Sequence, residues 1–373
     1  MRIIVTGNMG YLGPVLAEFL RTDLPGCALI GFDSGFFSHC LTDVVSSPET
    51  LFCHQYNGDI RSLPQDVLRG ADAVVHLAAV SNDSMGNRFE TVTEEINQAA
   101  TLRLAELSRE AGVKSFVFAS SCSIYGYSEG DPRKETDPIH PLTTYAQTKI
   151  ETERAMASTD LGNMVVTSLR FPTACGMSGR LRLDLVLNDF VACAVTMGEI
   201  SVLSDGTPWR PLIDVEDMAR AIAWAIRRPS DSRPFLAVNV GRDECNYQVR
   251  DLAQATAAAI PGTRVKLNAA APPDKRSYKI DFSLFKTLAP DHLPQITLLQ
   301  SIERMRDGLL AINFSDKNFR HSNYIRLKVL EDHIAAGRLN NDLRWVDPGM
   351  SLEKVQNEIS SHRSCRSLPY PVG

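Results

Sequence analysis

An excess of basic residues is missing. The chain has 39 lysines and arginines against 44 aspartates and glutamates, a formal net charge of −5. No basic face advertises a nucleic-acid partner, so a small ligand is expected and no nucleic acid. Also missing is an apolar stretch long enough to span a bilayer, so no membrane contact is expected. The eight cysteines (Cys27, Cys40, Cys53, Cys122, Cys175, Cys193, Cys245 and Cys365) form no CxxC pair. That spacing argues against a zinc site and a disulfide framework, and reduced thiols in a cytoplasm fit it best. No metal is expected. Met1-Arg2-Ile3-Ile4-Val5-Thr6-Gly7 reads as a strand running straight into a glycine loop, with no room for a cleavable signal. Internal repeats and low-complexity tracts are absent as well.

What is present is a chain able to bury a full core. Its 373 residues are 44% hydrophobic and 22% charged, which excludes disordered and fibrous classes and suggests one large unit or two domains. Up to about residue 170, short apolar runs alternate with amphipathic stretches, the pattern of βαβ units around a parallel sheet. Strands are expected at Arg2–Thr6, Ala28–Phe32, Ala73–Leu77, Ser115–Ala119 and Val165–Arg170, each apolar enough to be buried on both sides. Helices are expected at Gly13–Arg21 and Thr91–Gly112, the second ending at a glycine that suits a C-cap. Beyond residue 176 the alternation fades. The spacing there predicts helices near Leu183–Thr196, Val215–Arg227 and Tyr247–Ile260, with a strand at Ile200–Leu203 and a strand returning to the sheet at Val238–Gly241. A Pro-containing loop follows at 269–274. The last ninety residues show helical spacing at Leu298–Leu310 and Ile325–Ala336 but no recognisable chemistry, so a structural role is expected.

Gly7-Asn8-Met9-Gly10-Tyr11-Leu12-Gly13 follows a strand and opens a helix. In that context the first glycine permits a tight turn, the second lets backbone approach a pyrophosphate, the third allows close helix packing, and the helix N-terminus supplies N–H donors. Asp33 closes the next strand, where a carboxylate can bind an adenosine ribose and repel a 2′-phosphate; Ser34-Gly35-Phe36-Phe37 offers no arginine to attract one. NAD is thus preferred over NADP. Asp59, in Gly58-Asp59-Ile60, is a candidate for the adenine side, with ordinary turn chemistry as its alternative.

Tyr145-Ala146-Gln147-Thr148-Lys149 puts a phenol and an ammonium on one helix face. A phenol ordinarily titrates near 10, so an acid/base at that position needs a neighbouring cation, which Lys149 supplies. Ser120-Ser121-Cys122-Ser123-Ile124-Tyr125-Gly126 ends one predicted strand and His76-Leu77-Ala78-Ala79 ends another. Together, from residue 1 to about 285, these motifs resemble the extended short-chain dehydrogenases, in particular the NAD-dependent nucleotide-sugar epimerase/dehydratase branch.

The resemblance implies an α/β fold, a Rossmann doubly wound parallel sheet with a smaller mixed C-terminal substrate lobe. Its boundaries would be 1–176 for the NAD-binding domain, with a returning segment near 211–241, and 177–210 plus 242–373 for the substrate lobe and C-terminal extension. It further implies that Tyr145 is the acid/base on a sugar hydroxyl, that Lys149 lowers its pKa and binds the nicotinamide ribose, and that Ser121 hydrogen-bonds the reacting oxygen. Cofactor contacts would come from Gly7, Met9, Gly10, Tyr11, Leu12, Gly13, Asp33, Asp59, Ile60, Leu77, Ala78, Ala79, Asn97, Tyr145, Lys149 and Phe171. A nucleotide-diphosphate sugar would meet Ser81, Ser121, Cys122, Ser123, Thr173, Arg180, Arg182, Arg210 and Arg276, the last two being the diphosphate arginines, which suits a planar guanidinium fork. A homodimer is a family expectation.

Two departures narrow the chemistry. Family 4,6-dehydratases follow the catalytic hydroxyl with Asp-Glu, whereas Cys122 and Ser123 stand here, so dehydration is disfavoured, and the missing glutamate counts against decarboxylation. The family's Arg-Tyr-Phe-Asn appears as Arg170-Phe171-Pro172-Thr173, replacing a substrate-touching asparagine. Epimerisation through a transient keto-sugar leads. A keto-sugar reductase or dehydrogenase of deoxysugar or surface-polysaccharide biosynthesis is the alternative, and a non-catalytic dinucleotide sensor is disfavoured by the intact Ser121, Tyr145 and Lys149.

Overall fold

A computed structural model describes residues 1–42, 45–128, 130–229, 233–268, 270 and 276–346. The predicted loop 269–274 (apart from Ala270), Cys365 and the extension beyond 346 lie outside the described residues. The strands, in chain order, are β1 (Arg2–Thr6), β2 (Ala28–Asp33), β3 (His54–Asn57), β4 (Ala73–His76), β5 (Ser115–Ser121), β6 (Val165–Phe171), β7 (Thr173–Cys175), β8 (Glu199–Val202), β9 (Trp209–Asp214), β10 (Phe235–Asn239), β11 (Asn246–Gln248) and β12 (Arg264–Leu267). The helices are α1 (Leu12–Asp23), α2 (Asp83–Arg88), α3 (Glu90–Glu94), α4 (Ala100–Glu110), α5 (Thr144–Ser158), α6 (Val186–Met197), α7 (Val215–Ile226), α8 (Val249–Ala259), α9 (Ser283–Leu288), α10 (Leu298–Ala311) and α11 (Arg326–Ala335).

Seven strands form one sheet in the order β10-β6-β5-β4-β1-β2-β3, every neighbouring pair parallel. Strand alternation sends side chains to both faces, and both are apolar. Ile3, Val5 and Val75 enter one buried cluster with α1, α6 and α7, while Ile4 and Val74 enter a second cluster with α4. This explains why β1 and β4 read as continuous hydrophobic runs. Chain order along the sheet reverses beside β1, between β2 and β4, and open α/β sheets bind ligands at the carboxyl ends of the strands flanking such a switch point. Two smaller sheets, β11-β9-β7 and the parallel pair β12-β8, lie beyond β6 in the sequence.

The sequence expectations differ from this fold in three informative places. The helix expected over Thr91–Gly112 is interrupted by a π turn at Glu95–Ala99. Tyr247 belongs not to a helix but to β11, where it pairs antiparallel with Arg210, and α8 starts two residues later. The strand expected at Val238–Gly241 does return to the sheet, at its edge beside β6, but it starts earlier, as β10 at Phe235–Asn239.

Candidate active site

A cavity of about 890 Å³ runs along the carboxyl ends of β1, β2, β4, β5 and β6. At one end lies the glycine loop. Gly7 has φ +75°, and a Cβ there would lie 2.4 Å from Ala78 N, so only glycine lets β1 turn this close to the end of β4. Gly10, Tyr11 and Leu12 line the cavity; Gly13 stands behind it, packed on the Asn8 backbone. No side chain caps α1 and no acidic residue stands in its first turn, leaving its leading N–H groups for an anion. Asp33 lines the cavity with its carboxylate fixed by Met9 N–H (2.9 Å) and Gly35 N–H (2.8 Å). Burial raises its pKa, opposed by those two hydrogen bonds. Met9 therefore acts through its backbone on Asp33 and does not itself line the cavity.

Farther along, β5 ends at Ser121, whose Oγ accepts from Ser123 N–H at 3.1 Å and which lines the cavity together with Tyr145. Tyr145 sits in the first turn of α5. Thr143 caps that helix by accepting from Ala146 N–H and donates to Asp83 at 2.7 Å, fixing the helix entry against α2. One turn on, Lys149 is buried, its Nζ donating to Ala119 O at 2.8 Å and lying 5.7 Å from the Tyr145 ring centroid. Burial pushes the Tyr145 phenol up to about 12, the Ser121 hydroxyl opposing the rise and nearby Asp83 adding to it. Burial likewise lowers the Lys149 ammonium to about 7, against the pull of Glu153. In the ligand-free chain the phenol therefore keeps its proton at neutral pH.

Elsewhere on the wall, Ser81, Ser123, Thr173, Arg182, Arg210 and Arg276 line the cavity, as do Asp59, Ile60, Leu77, Ala78, Ala79 and Phe171. Arg182 donates to Ser81 Oγ at 3.0 Å and pairs with Asp184 at 2.8 Å. Arg276 pairs with Asp83 at 2.8 Å, and Arg210 donates to Trp209 O at 3.1 Å.

Besides Met9 and Gly13, three predicted contacts are not brought to the cavity wall. Asn97, fully buried on the π turn, uses its amide on the backbone of Val80, accepting from N–H (2.8 Å) and donating to O (3.0 Å). It fixes the backbone of Val80, which lines the cavity. Cys122 is fully buried, with its thiol donating to Arg170 O at 3.2 Å. Arg180 turns away to pair with Glu49 at 2.6 Å and to donate to Phe37 O and Ser38 O.

The residues 3–241 match the model of the NAD dependent epimerase/dehydratase family. The chain belongs to that family. It is similar to an uncharacterized UDP-glucose epimerase of Bacillus subtilis, 29% identical over 238 residues, 61% of this chain and 73% of that one. It is also 28% identical over 271 residues to a UDP-glucose 4-epimerase of Corynebacterium glutamicum, covering 68% and 79% of the two chains. Among solved structures, MoeE5 in complex with UDP-glucuronic acid and NAD superposes with a TM-score of 0.71 at 26% identity, over 83% of this chain and 99% of that chain.

The family's cofactor is NAD, and the residues present fit it. The uncapped α1 terminus and Gly10 face the cavity, and Ser120 and Ser123 line it with buried hydroxyls that have no hydrogen-bond partner among the described residues. Motif reading missed the contribution of the C-terminal extension of this epimerase-family chain. Arg320, Ile325, Arg326, Leu327, Leu330 and Leu343 all line the cavity. Their amphipathic spacing gave only a helix, with no chemical pattern to say what that helix covers.

Proposed function

We propose that this chain is an NAD-dependent epimerase of nucleotide-diphosphate sugars, of UDP-hexose type, working through a transient keto-sugar with Tyr145 as acid/base. The observation that carries the reading is the meeting of Ser121, Tyr145 and Lys149 at the carboxyl edge of the sheet, in one cavity with the glycine loop and the lining arginines Arg182, Arg210 and Arg276. The relatives' UDP-sugars support the substrate class. NAD, when bound, supplies the hydride acceptor and donor.

Tyr145 takes the proton of the reacting sugar hydroxyl as its C–H hydride leaves, and returns it when the ketone is reduced. Ser121, on the same cavity wall, stabilises the oxygen on which charge develops. Lys149, as a cation one helical turn away, favours the phenolate. Return of hydride to the opposite face requires the keto-sugar to turn while its diphosphate stays held; Arg182, Arg210 and Arg276 are the candidates for that grip. Elimination of water is disfavoured. Cys122 and Ser123 are not carboxylates, and the lining carboxylates Asp83 and Asp184 are each paired with an arginine. Asp33, lacking an arginine partner for a 2′-phosphate, disfavours an NADPH-dependent reductase. Within this reading the enzyme acts in the cytoplasm as a homodimer, and its two lobes divide as 1–176 with 211–241, and 177–210 with the remainder.

The test is to denature freshly purified protein, identify the released ligand by mass and absorbance, and incubate native protein with UDP-, GDP-, dTDP- and CDP-sugars. Retained NAD with isomer formation is the expected result. An empty site, with turnover only on adding NADH or NADPH, would make the chain a reductase.

A further inference from the structure

The C-terminal extension returns across the dinucleotide end of the cavity. Trp345 donates its indole N–H to Ser34 O at 2.6 Å and lies 5.7 Å from the Phe36 ring. His333 Nε2 stands 3.0 Å from Phe36 O, and Arg61 donates to Asp342 O and Leu343 O at 2.9 and 3.2 Å. Ser34 and Phe36 directly follow Asp33, so this strap is fastened to the segment that would flank the cofactor's ribose.

Beneath the strap sits Arg326, 1% exposed. Its guanidinium donates to Asn323 O (3.0 Å), Arg180 O (2.8 Å) and Leu181 O (3.1 Å), and its Cζ lies 4.9 Å from the Phe37 ring centroid. Two neighbouring cations are neutralised, Arg180 by Glu49 and Arg182 by Asp184. Arg326 is not: among the described residues no carboxylate forms an ion pair with it, although it lines the cavity. A buried charge held only by carbonyl dipoles is costly, and an anion in the cavity would offset that cost. The strain appears in its titration, which burial, with repulsion from Arg182 and Arg180, lowers to about 10 against the pull of Cys40 and Asp184.

We propose that Arg326 is a diphosphate-binding residue of the dinucleotide site, contributed by the C-terminal extension and held in place by the strap over Ser34 and Phe36. A dinucleotide and a sugar nucleotide both carry a diphosphate. Arg326 is assigned to the first because it stacks on Phe37, just past Asp33, whereas Arg210 lines the cavity from β9. The guanidinium keeps Nε–H and one Nη1–H free of the three carbonyls, so that it can offer a charge-assisted hydrogen bond to a phosphate oxygen, the extension supplying from outside the sheet a charge that complements the α1 N-terminus.

The test uses the full-length protein stripped of cofactor. NAD, ADP, adenosine and UDP are titrated by calorimetry into wild type, Arg326→Met and Arg326→Lys, and thermal unfolding is recorded for each with and without ligand. Loss of one charged hydrogen-bonding partner weakens binding roughly 10- to 100-fold. NAD and ADP should weaken by that factor in the methionine variant and by less in the lysine variant, with adenosine and UDP unchanged. A lower melting temperature of the free protein with NAD and ADP affinities intact would make Arg326 purely structural and overturn the assignment, as would a loss confined to UDP. Should Arg326→Met not fold, Arg326→Lys decides. Trp345→Ala, at a half-exposed site, tests the strap independently: NAD should dissociate faster, and an unchanged release rate would contradict it. The wild-type titration separates failure of this proposal from absence of NAD binding altogether.

Discussion

Replacing Lys149 with methionine removes a charge that the fold holds at a cost. The side chain is 3% exposed, its Nζ has one protein carbonyl as partner and lies 4.6 Å from the Phe118 ring centroid, and its pKa falls from the ordinary 10.5 to about 7. A depressed lysine pKa means that the unfolded chain binds a proton the folded chain does not throughout the window from about 7 to 10.5. Stability should therefore rise with pH across that window, at most by about 1.4 kcal/mol per unit, or on the order of 5 kcal/mol in total. Tyr145 works the other way: raised to about 12, it keeps its proton when the unfolded phenol has lost it, so its contribution declines only above about pH 10. Urea unfolding of the cofactor-free protein, followed from pH 6.5 to 9.5, should show wild type gaining stability relative to Lys149→Met by up to several kcal/mol. A difference between the two that does not change with pH would refute a buried, easily discharged Lys149.

Two further substitutions probe the cofactor side. Asp33→Asn removes a carboxylate that, about 4 Å from a 2′-phosphate at an effective dielectric near 20, would repel it by about 4 kcal/mol. The ratio of the NADP to the NAD dissociation constant should fall at least roughly tenfold, and an unchanged ratio would remove Asp33 from the discrimination. Asn97→Leu leaves the buried N–H and C=O of Val80 without their amide partner, at about 1–3 kcal/mol each, and should lower the unfolding midpoint in urea before it alters chemistry. Full stability with loss of NAD would instead return Asn97 to the cofactor contacts.

The parallel core was legible because its strands are buried on both faces and read as apolar runs, and because Gly7, Asp33, Ser121, Tyr145 and Lys149 belong to motifs with fixed places in a βαβ frame. What escaped depended on distant partners. Arg180 had the right charge in the right segment, but Glu49, 131 positions away, claims it. Asn97 read as a helical polar residue near the cofactor; the π turn at 95–99 directs its amide to Val80. Amphipathic spacing revealed α11, yet nothing local says that it docks beside Phe36 and Phe37, nearly three hundred residues earlier.

The most direct test of the account is Tyr145→Phe, which deletes one oxygen from the ring against Ser121 and leaves the glycine loop and Asp33 untouched. NAD binding should match wild type by calorimetry, while the rate of interconversion of the UDP-sugar epimers falls by the ~10²- to 10⁴-fold that a positioned acid/base supplies. A variant that binds NAD and epimerises at the wild-type rate would contradict the assignment of Tyr145 as the proton-transferring group.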